Sequence, residues 1–390
     1  MEEKSMNKDV KELALEQVKQ NGGLLSVVPK AVIEAPEDLS VVYTPGVAAV
    51  STAIVEDKEL VRELTMKKNT IAMVSDGSAV LGLGNIGPEA ALPVMEGKSA
   101  LFKRFGNIDT IPIVLATQDV EEIIQTVKAI SPTFGAINLE DISAPRCFEI
   151  ERRLNAECAI PVFHDDQHGT AIVALAATFN SLKLIGKSKE DIKVVINGGG
   201  AAGIAITRKF LAAGIQHILV VDKTGILNER ESESLVSHHV EIAKVTNRQF
   251  ISGTLPDALV DADIFIGVSQ ANVLQAEWIQ QMAEKPVIFA LANPIPEILP
   301  EEALAAGAYI VGTGRSDYPN QINNVLAFPG LFRGALDAQA TKITEEMQIA
   351  AAVAIANLVP ETELTPTNIM PKVFQQNVAE VVARAVIASV

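Results

Sequence analysis

Cysteine is nearly absent from this 390-residue sequence, which holds two, Cys147 and Cys158. So few thiols in a chain this long exclude a disulfide framework and fit a reducing, cytoplasmic compartment. Basic charge is also short. Against 48 Asp and Glu stand 32 Lys and Arg, a formal net charge of −16, which argues against nucleic acid and anionic membrane surfaces because both select basic patches. An anionic ligand must then find positive charge locally, from a lysine, a metal or a helix amino terminus. No run approaches the roughly 18–20 apolar residues of a membrane span. The amino terminus, "MEEKSMNKDVKELALEQVKQ", is charged and amphipathic and lacks the apolar core of a secretory signal. Internal repeats and low-complexity linkers are missing as well.

What is present is enough apolar material for full cores: 48% of the residues are hydrophobic, and the length suits two domains. Apolar strands alternate with amphipathic helices in a first series: "TIAMVS" at 70–75, "PEAALPVMEGKSALFKRF" at 88–105, "IPIVLAT" at 111–117, "VEEIIQTVKAI" at 120–130, "GAINLED" at 135–141 and "IPVFHDD" at 160–166. A second series runs "IKVVIN", "HILVVD", "ADIFIGVS", "KPVIFALANP" and "YIVGTG". This alternation predicts an α/β protein with parallel sheets. The expected division is a substrate and metal domain over 1–165 and a doubly wound, Rossmann-type domain over 166–390. "GTAIVALAATFNSLKLIGK" is the helix that joins them, and the closing amphipathic helix "IMPKVFQQNVAEVVARAVIASV" can pack on either.

The pattern G-x-G-x-x-G occurs twice, at Gly82, Gly84, Gly87 and at Gly198, Gly200, Gly203. A lone match is weak, so context chooses. The second copy follows the apolar "VVI", opens the helical "AAGIAITRKFLAAG" and has Asp222 closing the next strand, 19 residues beyond Gly203. That is the dinucleotide pattern: a tight turn, close backbone approach to the pyrophosphate, and an acid for the ribose hydroxyls. Residues Gly198, Gly199, Gly200, Ala201, Ala202 and Gly203 are the expected cofactor loop, and Ser269, at the end of a later strand, is expected to line the same site. Asp222 favours NAD by repelling a 2′-phosphate, while the adjacent Lys223 leaves NADP open.

Two consecutive strands end in acids, "INLED" in Glu140 and Asp141 and "IPVFHDD" in Asp165 and Asp166. Four carboxylates at one sheet edge would raise each other's pKa strongly unless a cation neutralises them. Hard oxygen ligands with open positions suit Mg²⁺ or Mn²⁺. His164 and His168 have the four-residue spacing of a zinc pair, but "VFHDD" reads as strand running into turn, so they are expected in the core or behind the ligands. In the helix at 88–105, Ala91, Met95, Lys98, Phe102 and Phe105 share a stripe that excludes Glu96, Ser99, Lys103 and Arg104. Lys98 thus points where the apolar side chains point, and there it either snorkels out or, near buried carboxylates, serves as a base. Tyr43, one of three tyrosines, precedes a Pro-Gly turn.

With "VVYTPGVA", "MEGKSALFK", "INLEDI", "VFHDDQHGT", "INGGGAAGIA", "FALANP" and "NQINNVLAFPG" in this order, the chain resembles the small bacterial malic enzymes from about residue 30 onward. The resemblance implies oxidative decarboxylation of (S)-malate to pyruvate and CO₂ with a nicotinamide cofactor and a divalent cation, by a homodimer. Carried over motif by motif, Lys98 is the general base at the C2 hydroxyl and Tyr43 the acid that protonates C3. Asp165 is the partner that tunes Lys98, and Glu140, Asp141 and Asp166 are the metal ligands. Asn293 and Asn324 hold substrate carboxylates, with Asn293 at the cofactor too. Where the large eukaryotic relatives carry an arginine for malate, this sequence has Ala79, so a different cation must do that job, a lysine from a neighbouring subunit being one hypothesis. The carboxyl-terminal acyltransferase-like domain of fused relatives is not expected. The alternatives are a malolactic or oxaloacetate-decarboxylating enzyme, and a non-catalytic dinucleotide sensor.

Overall fold

The computed structural model describes residues 2–80 and 82–390, in which ten strands form two sheets. The first contains β1 (Thr70–Ser75), β2 (Asp109–Val114), β3 (Ala136–Leu139) and β4 (Val162–His164) in the order β2-β1-β3-β4, all parallel. β1, β3 and β4 are buried throughout. Such strands read as unbroken apolar runs because helices cover both faces of the sheet. The register pairs Val74 with Leu139 and Leu139 with His164, so Asp76, Glu140 and Asp165 all emerge at the same carboxyl edge.

The second sheet holds β5 (Lys193–Asn197), β6 (His217–Asp222), β7 (Gly225–Ile226), β8 (Ile264–Gly267), β9 (Val287–Ala290) and β10 (Ile310–Thr313) in the order β10-β9-β8-β5-β6-β7. Only the β6–β7 pair is antiparallel. The order reverses at β5, with β6 on one side and β8 on the other, and ligands of doubly wound folds bind at such a switch point. The expected α/β class with a Rossmann-like second sheet is observed.

The expected turn after "VFH" is not. Helix Asp165–Ile185 begins at once, with His164 as its cap residue. Two aspartates in a first turn face unpaired backbone N–H groups and the positive end of the helix dipole, which favours starting the helix there. The helix is buried along most of its length and runs from one sheet to the other.

The carboxyl-terminal helices pack on both units. The Phe328–Asp337 helix returns to the first sheet, where Phe328 and Phe332 lie 4.5 and 5.4 Å from the ring of Phe102 and Phe332 also meets Phe163 at 5.6 Å. A Cβ on Gly106 would stand 2.9 Å from the Pro329 carbonyl, so this crossing needs glycine. The Val378–Ile387 helix packs on the Phe328–Asp337 helix, where Gly330 and Gly334 allow close approach to Val382 and Val386. The amino-terminal helices Glu2–Asn21, Pro36–Val42 and Gly46–Glu56 differ, since the latter two bury no residue.

Candidate active site

At the carboxyl edge of the first sheet, Lys98 is 9% exposed and its Nζ donates to Glu140 Oε1 and Asp165 Oδ2. It comes from the Pro88–Gly106 helix, whose Ala91, Met95, Lys98 and Phe102 face inward as the stripe predicts. Ser99, placed off the stripe, is also fully buried, because the helix is covered over a wider arc than one stripe, and Phe105 is only half-buried. The ammonium is 4.9 Å from the centroid of Phe328, on the returning Phe328–Asp337 helix. Burial alone would lower the Lys98 pKa, but the charges of Asp165 and Glu140 override it and hold the ammonium protonated.

Glu140, Asp141 and Asp166 present carboxylate oxygens within 4.8 Å of one another. Burial, and then the neighbouring carboxylates, push Asp141 up to about 8. Glu140 and Asp166 are raised as well, by burial first, with Lys98 opposing. Oδ2 of Asp141 is buried with no hydrogen-bond partner. Three carboxylates this close, one with an unpartnered buried oxygen, form a donor set that could hold a hard divalent cation. Asn138 donates to Glu140 Oε2 at 2.8 Å, and the Asp141 N–H donates to Asp166 Oδ2 at 2.7 Å, so the ligand set is braced from behind.

Asp165 is buried, and burial first, offset by Lys98, leaves its pKa raised to about 6. Its side chain curls over its own helix, where a Cβ on Gly169 would stand 2.0 Å from Oδ1. The glycine of "DDQHG" is therefore a space requirement of Asp165. Asn324 reaches the same carboxylate, donating from Nδ2 to Oδ2 at 2.6 Å. Expected as a substrate ligand, it is bound in this structure to the partner of Lys98.

Glu151 gathers the backbone of His164 and the ring of His168: the His164 backbone N–H donates to Oε1 at 2.8 Å, and His168 Nε2 lies 2.9 Å from Oε2. The His164 ring nitrogens make no hydrogen bond among the described residues, and Nδ1 lies 3.9 Å from Asp166 Oδ2. The Glu151 carboxyl is lowered despite its burial, with His168 as the largest opposing influence. Sequence reading passed over Glu151, which sits mid-helix among other charges in "FEIERRL". It also passed over Arg146, which donates to Asp76 Oδ2 at 2.8 Å and Ser78 Oγ at 2.8 Å, fixing the loop that accompanies Asp141.

In the second sheet Gly198 has φ +130°, and a Cβ on Gly203 would stand 1.8 Å from the Gly198 carbonyl oxygen. Residues Gly198, Gly199 and Gly200 with Asp222, Lys223 and Ser269 line a cavity of about 570 Å³. Ala201 and Ala202 open the Ala201–Ala212 helix behind it. Asp222 Oδ1 lies 3.4 Å from the Gly199 N–H, and His239 Nε2 lies 2.9 Å from the Gly199 carbonyl oxygen. Ser269 accepts from Asn197 Nδ2 at 2.8 Å, and Glu297 accepts the N–H groups of Ser269 and Ala292 at 2.9 and 3.0 Å. Neither His239 nor Glu297 carried a sequence signal.

Asn293 stands outside that cavity, with its Nδ2 3.3 Å from the Leu291 carbonyl oxygen. Gly82, from the glycine pattern set aside above, lies against it: a Cβ there would be 3.4 Å from Pro294 Cδ and 3.7 Å from the Asn293 oxygen. The first pattern thus borders the loop at Asn293 and Pro294. Tyr43 is not brought to the cluster at all. It ends the Pro36–Val42 helix, is 70% exposed, and its hydroxyl makes no hydrogen bond among the described residues.

Residues 23–155 match the family model of the malic enzyme N-terminal domain, and residues 167–390 that of the malic enzyme NAD-binding domain. The chain is 55% identical to a bifunctional malic/malolactic enzyme of Bacillus subtilis, over 97% of this chain and 92% of that one. It is 57% identical to an NAD-dependent malic enzyme of Geobacillus stearothermophilus, over 94% and 76%. The crystal structure of the NAD-dependent malic enzyme of Thermotoga maritima superposes with a TM-score of 0.94 at 52% identity, covering 97% of this chain and 99% of that one. With both family domains matched along nearly its whole length, the chain belongs to the malic enzyme family.

Proposed function

We propose that the chain oxidises (S)-malate to pyruvate and CO₂ with reduction of NAD. The observation that carries this reading is the buried Lys98 ion-paired to Glu140 and Asp165, beside three carboxylates gathered within 4.8 Å. Glu140, Asp141 and Asp166 are the residues that would hold Mg²⁺ or Mn²⁺. When bound, the cation supplies Lewis-acid polarisation of the C2 oxygen and draws carboxylate charge away from Lys98, and the nicotinamide accepts the hydride from C2.

Lys98 takes the C2 hydroxyl proton, and Asp165, braced by Asn324, orients it and shares the proton's charge. The resulting oxaloacetate loses its C4 carboxylate as CO₂, and Tyr43 delivers a proton to C3 to give pyruvate. Asn293 and Asn324 orient substrate from the second-domain side. Asp222 stands where a ribose hydroxyl is recognised, which supports NAD over NADP. The division of labour is a substrate and metal domain over 1–165 and a dinucleotide domain over 166–390, working in the cytoplasm.

One observation favours a second reading: the Bacillus subtilis relative is named as both malic and malolactic. Product analysis separates the two. Purified protein with (S)-malate, Mn²⁺ and NAD should form reduced nicotinamide and pyruvate in equal amounts. Lactate without net cofactor reduction would replace this proposal with the malolactic one. No turnover with NAD or NADP would leave only a dinucleotide-binding protein.

A further inference from the structure

The ladder between β8 and β9 ends with Gly267 opposite Ala290, and the last backbone bond between the two chains runs from the Leu291 N–H to the Gly267 carbonyl oxygen at 2.9 Å. Beyond it they part. One becomes the loop of Ser269, which lines the dinucleotide cavity and accepts from Asn197 beside the glycine turn. The other becomes the loop that carries Asn293. The gap is bridged by the side chain of Glu297, which accepts the Ser269 N–H with Oε1 at 2.9 Å and the Ala292 N–H with Oε2 at 3.0 Å.

Glu297 is fully buried. Burial raises its carboxyl, and only backbone N–H groups, with no cation, oppose the rise. A buried carboxylate without a cation is costly unless its oxygens are hydrogen-bonded, and here each oxygen is held by a different loop. The strand end is shaped to admit it, since a Cβ on Gly267 would stand 2.3 Å from Glu297 Cδ. Farther out the backbone ties the same two segments, from the Asn272 N–H to the Pro296 carbonyl at 3.1 Å and from the Leu274 N–H to the Glu297 carbonyl at 3.0 Å. Those bonds fix the outer parts of the loops. Ser269 and Ala292 themselves are joined only through the carboxylate, with the dinucleotide cavity on one side and Asn293 on the other.

We infer that Glu297 is a positioning residue that couples the two binding sites: a nucleotide that orders the Ser269 loop also orders Asn293, so nucleotide and malate each tighten the binding of the other. This rests on the role given to Asn293 above. The second ligand meets a loop already ordered and loses less conformational freedom. The effect is reciprocal, because two ligands change each other's affinity by the same factor. An amide cannot take over this task. Glutamine offers one acceptor oxygen, and its NH₂ would face the other backbone N–H.

The test measures the coupling directly. NADH is titrated by fluorescence against the full chain in Mn²⁺, without and with saturating (S)-malate. The reduced cofactor accepts no hydride, so the ternary complex does not turn over. The wild type should bind NADH at least about fivefold more tightly when malate is present, and in Glu297→Gln this ratio should fall to about 1–2. A residue of purely structural importance would lower the urea midpoint of the variant and leave the ratio at its wild-type value, which would overturn the inference. Glu297→Asp, one methylene shorter and unable to span both loops, should lose the ratio too, and it decides the matter if the glutamine variant does not fold. A wild-type ratio near 1 in a protein that oxidises malate also overturns the coupling. A fully active Asn293→Ala chain refutes instead the role of Asn293, so the two failures are distinct.

Discussion

Replacing Asp222 by serine should invert much of the cofactor preference, and the size of the effect follows from where the carboxylate sits. It is 29% exposed, at the end of β6, lining the cavity of the glycine loop, with Lys223 beside it on the same wall. A ribose 2′-phosphate placed there would meet the carboxylate at roughly 4 Å, where a unit charge pair is worth about 1 kcal/mol in water and about 4 kcal/mol at an effective dielectric of 20. For a group exposed by nearly a third, about 2 kcal/mol is reasonable, or roughly a thirtyfold gain for NADP on removing the charge. NAD loses a charge-assisted hydrogen bond to its 2′-hydroxyl, worth about 1.5–3 kcal/mol, so its kcat/KM should fall about tenfold or more. The ratio of kcat/KM values for NAD and NADP, read from steady-state rates at saturating malate and Mn²⁺, should therefore drop by two orders of magnitude or more. An unchanged ratio would show that Asp222 does not face the 2′ position and would refute the argument.

Lys98→Ala should lower malate oxidation by a factor of about 10²–10⁴ while NAD still binds, as fluorescence titration would show. Normal turnover would remove Lys98 from the chemistry. Gly169→Ala forces a methyl group to within 2.0 Å of Asp165 Oδ1, so kcat should fall well below wild type; full activity would mean that Asp165 can be displaced without consequence. Phe332→Ala deletes a ring that touches both Phe102 and Phe163, and should cost about 3–5 kcal/mol in urea unfolding at constant slope. Burial pushes the Cys147 thiol up to about 12 from an ordinary 9.0. Cys147 should therefore resist alkylation at pH 8 unless the protein unfolds. Between pH 9 and about 12 the unfolded chain releases this proton and the folded one does not, so its contribution to stability is lost as pH rises, and a Cys147→Ala variant should lack that part of the slope.

The amount legible without coordinates differs from element to element. Strand identity was plain in "TIAMVS" and "VVI" because strands buried on both faces have to be apolar throughout, and burial follows directly from composition. The start of the helix at Asp165 was misread because two aspartates signal a turn as readily as a first helical turn, and the choice depends on what Lys98 and Asn324 offer the side chain. Lys98 was found by its place on an apolar stripe. Glu151, His239 and Glu297 were not found, since a single charged or polar residue within a helix or loop carries no periodic signal, and their importance comes only from the N–H groups and carbonyls that packing delivers to them.

By itself the sequence determined the two largely parallel sheets, the glycine-rich turn after one strand with Asp222 closing the next, and the acids at strand ends, because each of these is a local pattern of apolar periodicity, glycine spacing or charge. The tertiary structure alone decided that Glu140, Asp141 and Asp166 meet within 4.8 Å, that Asn324 closes on Asp165, and that the Phe328–Asp337 helix brings the Phe328 ring against the Lys98 ammonium. It also decided that Tyr43 stands apart from all of them. Those relations join residues up to 230 positions apart, as Lys98 and Phe328 are, and proximity at that range is set by how two sheets and their helices pack, which no local pattern records.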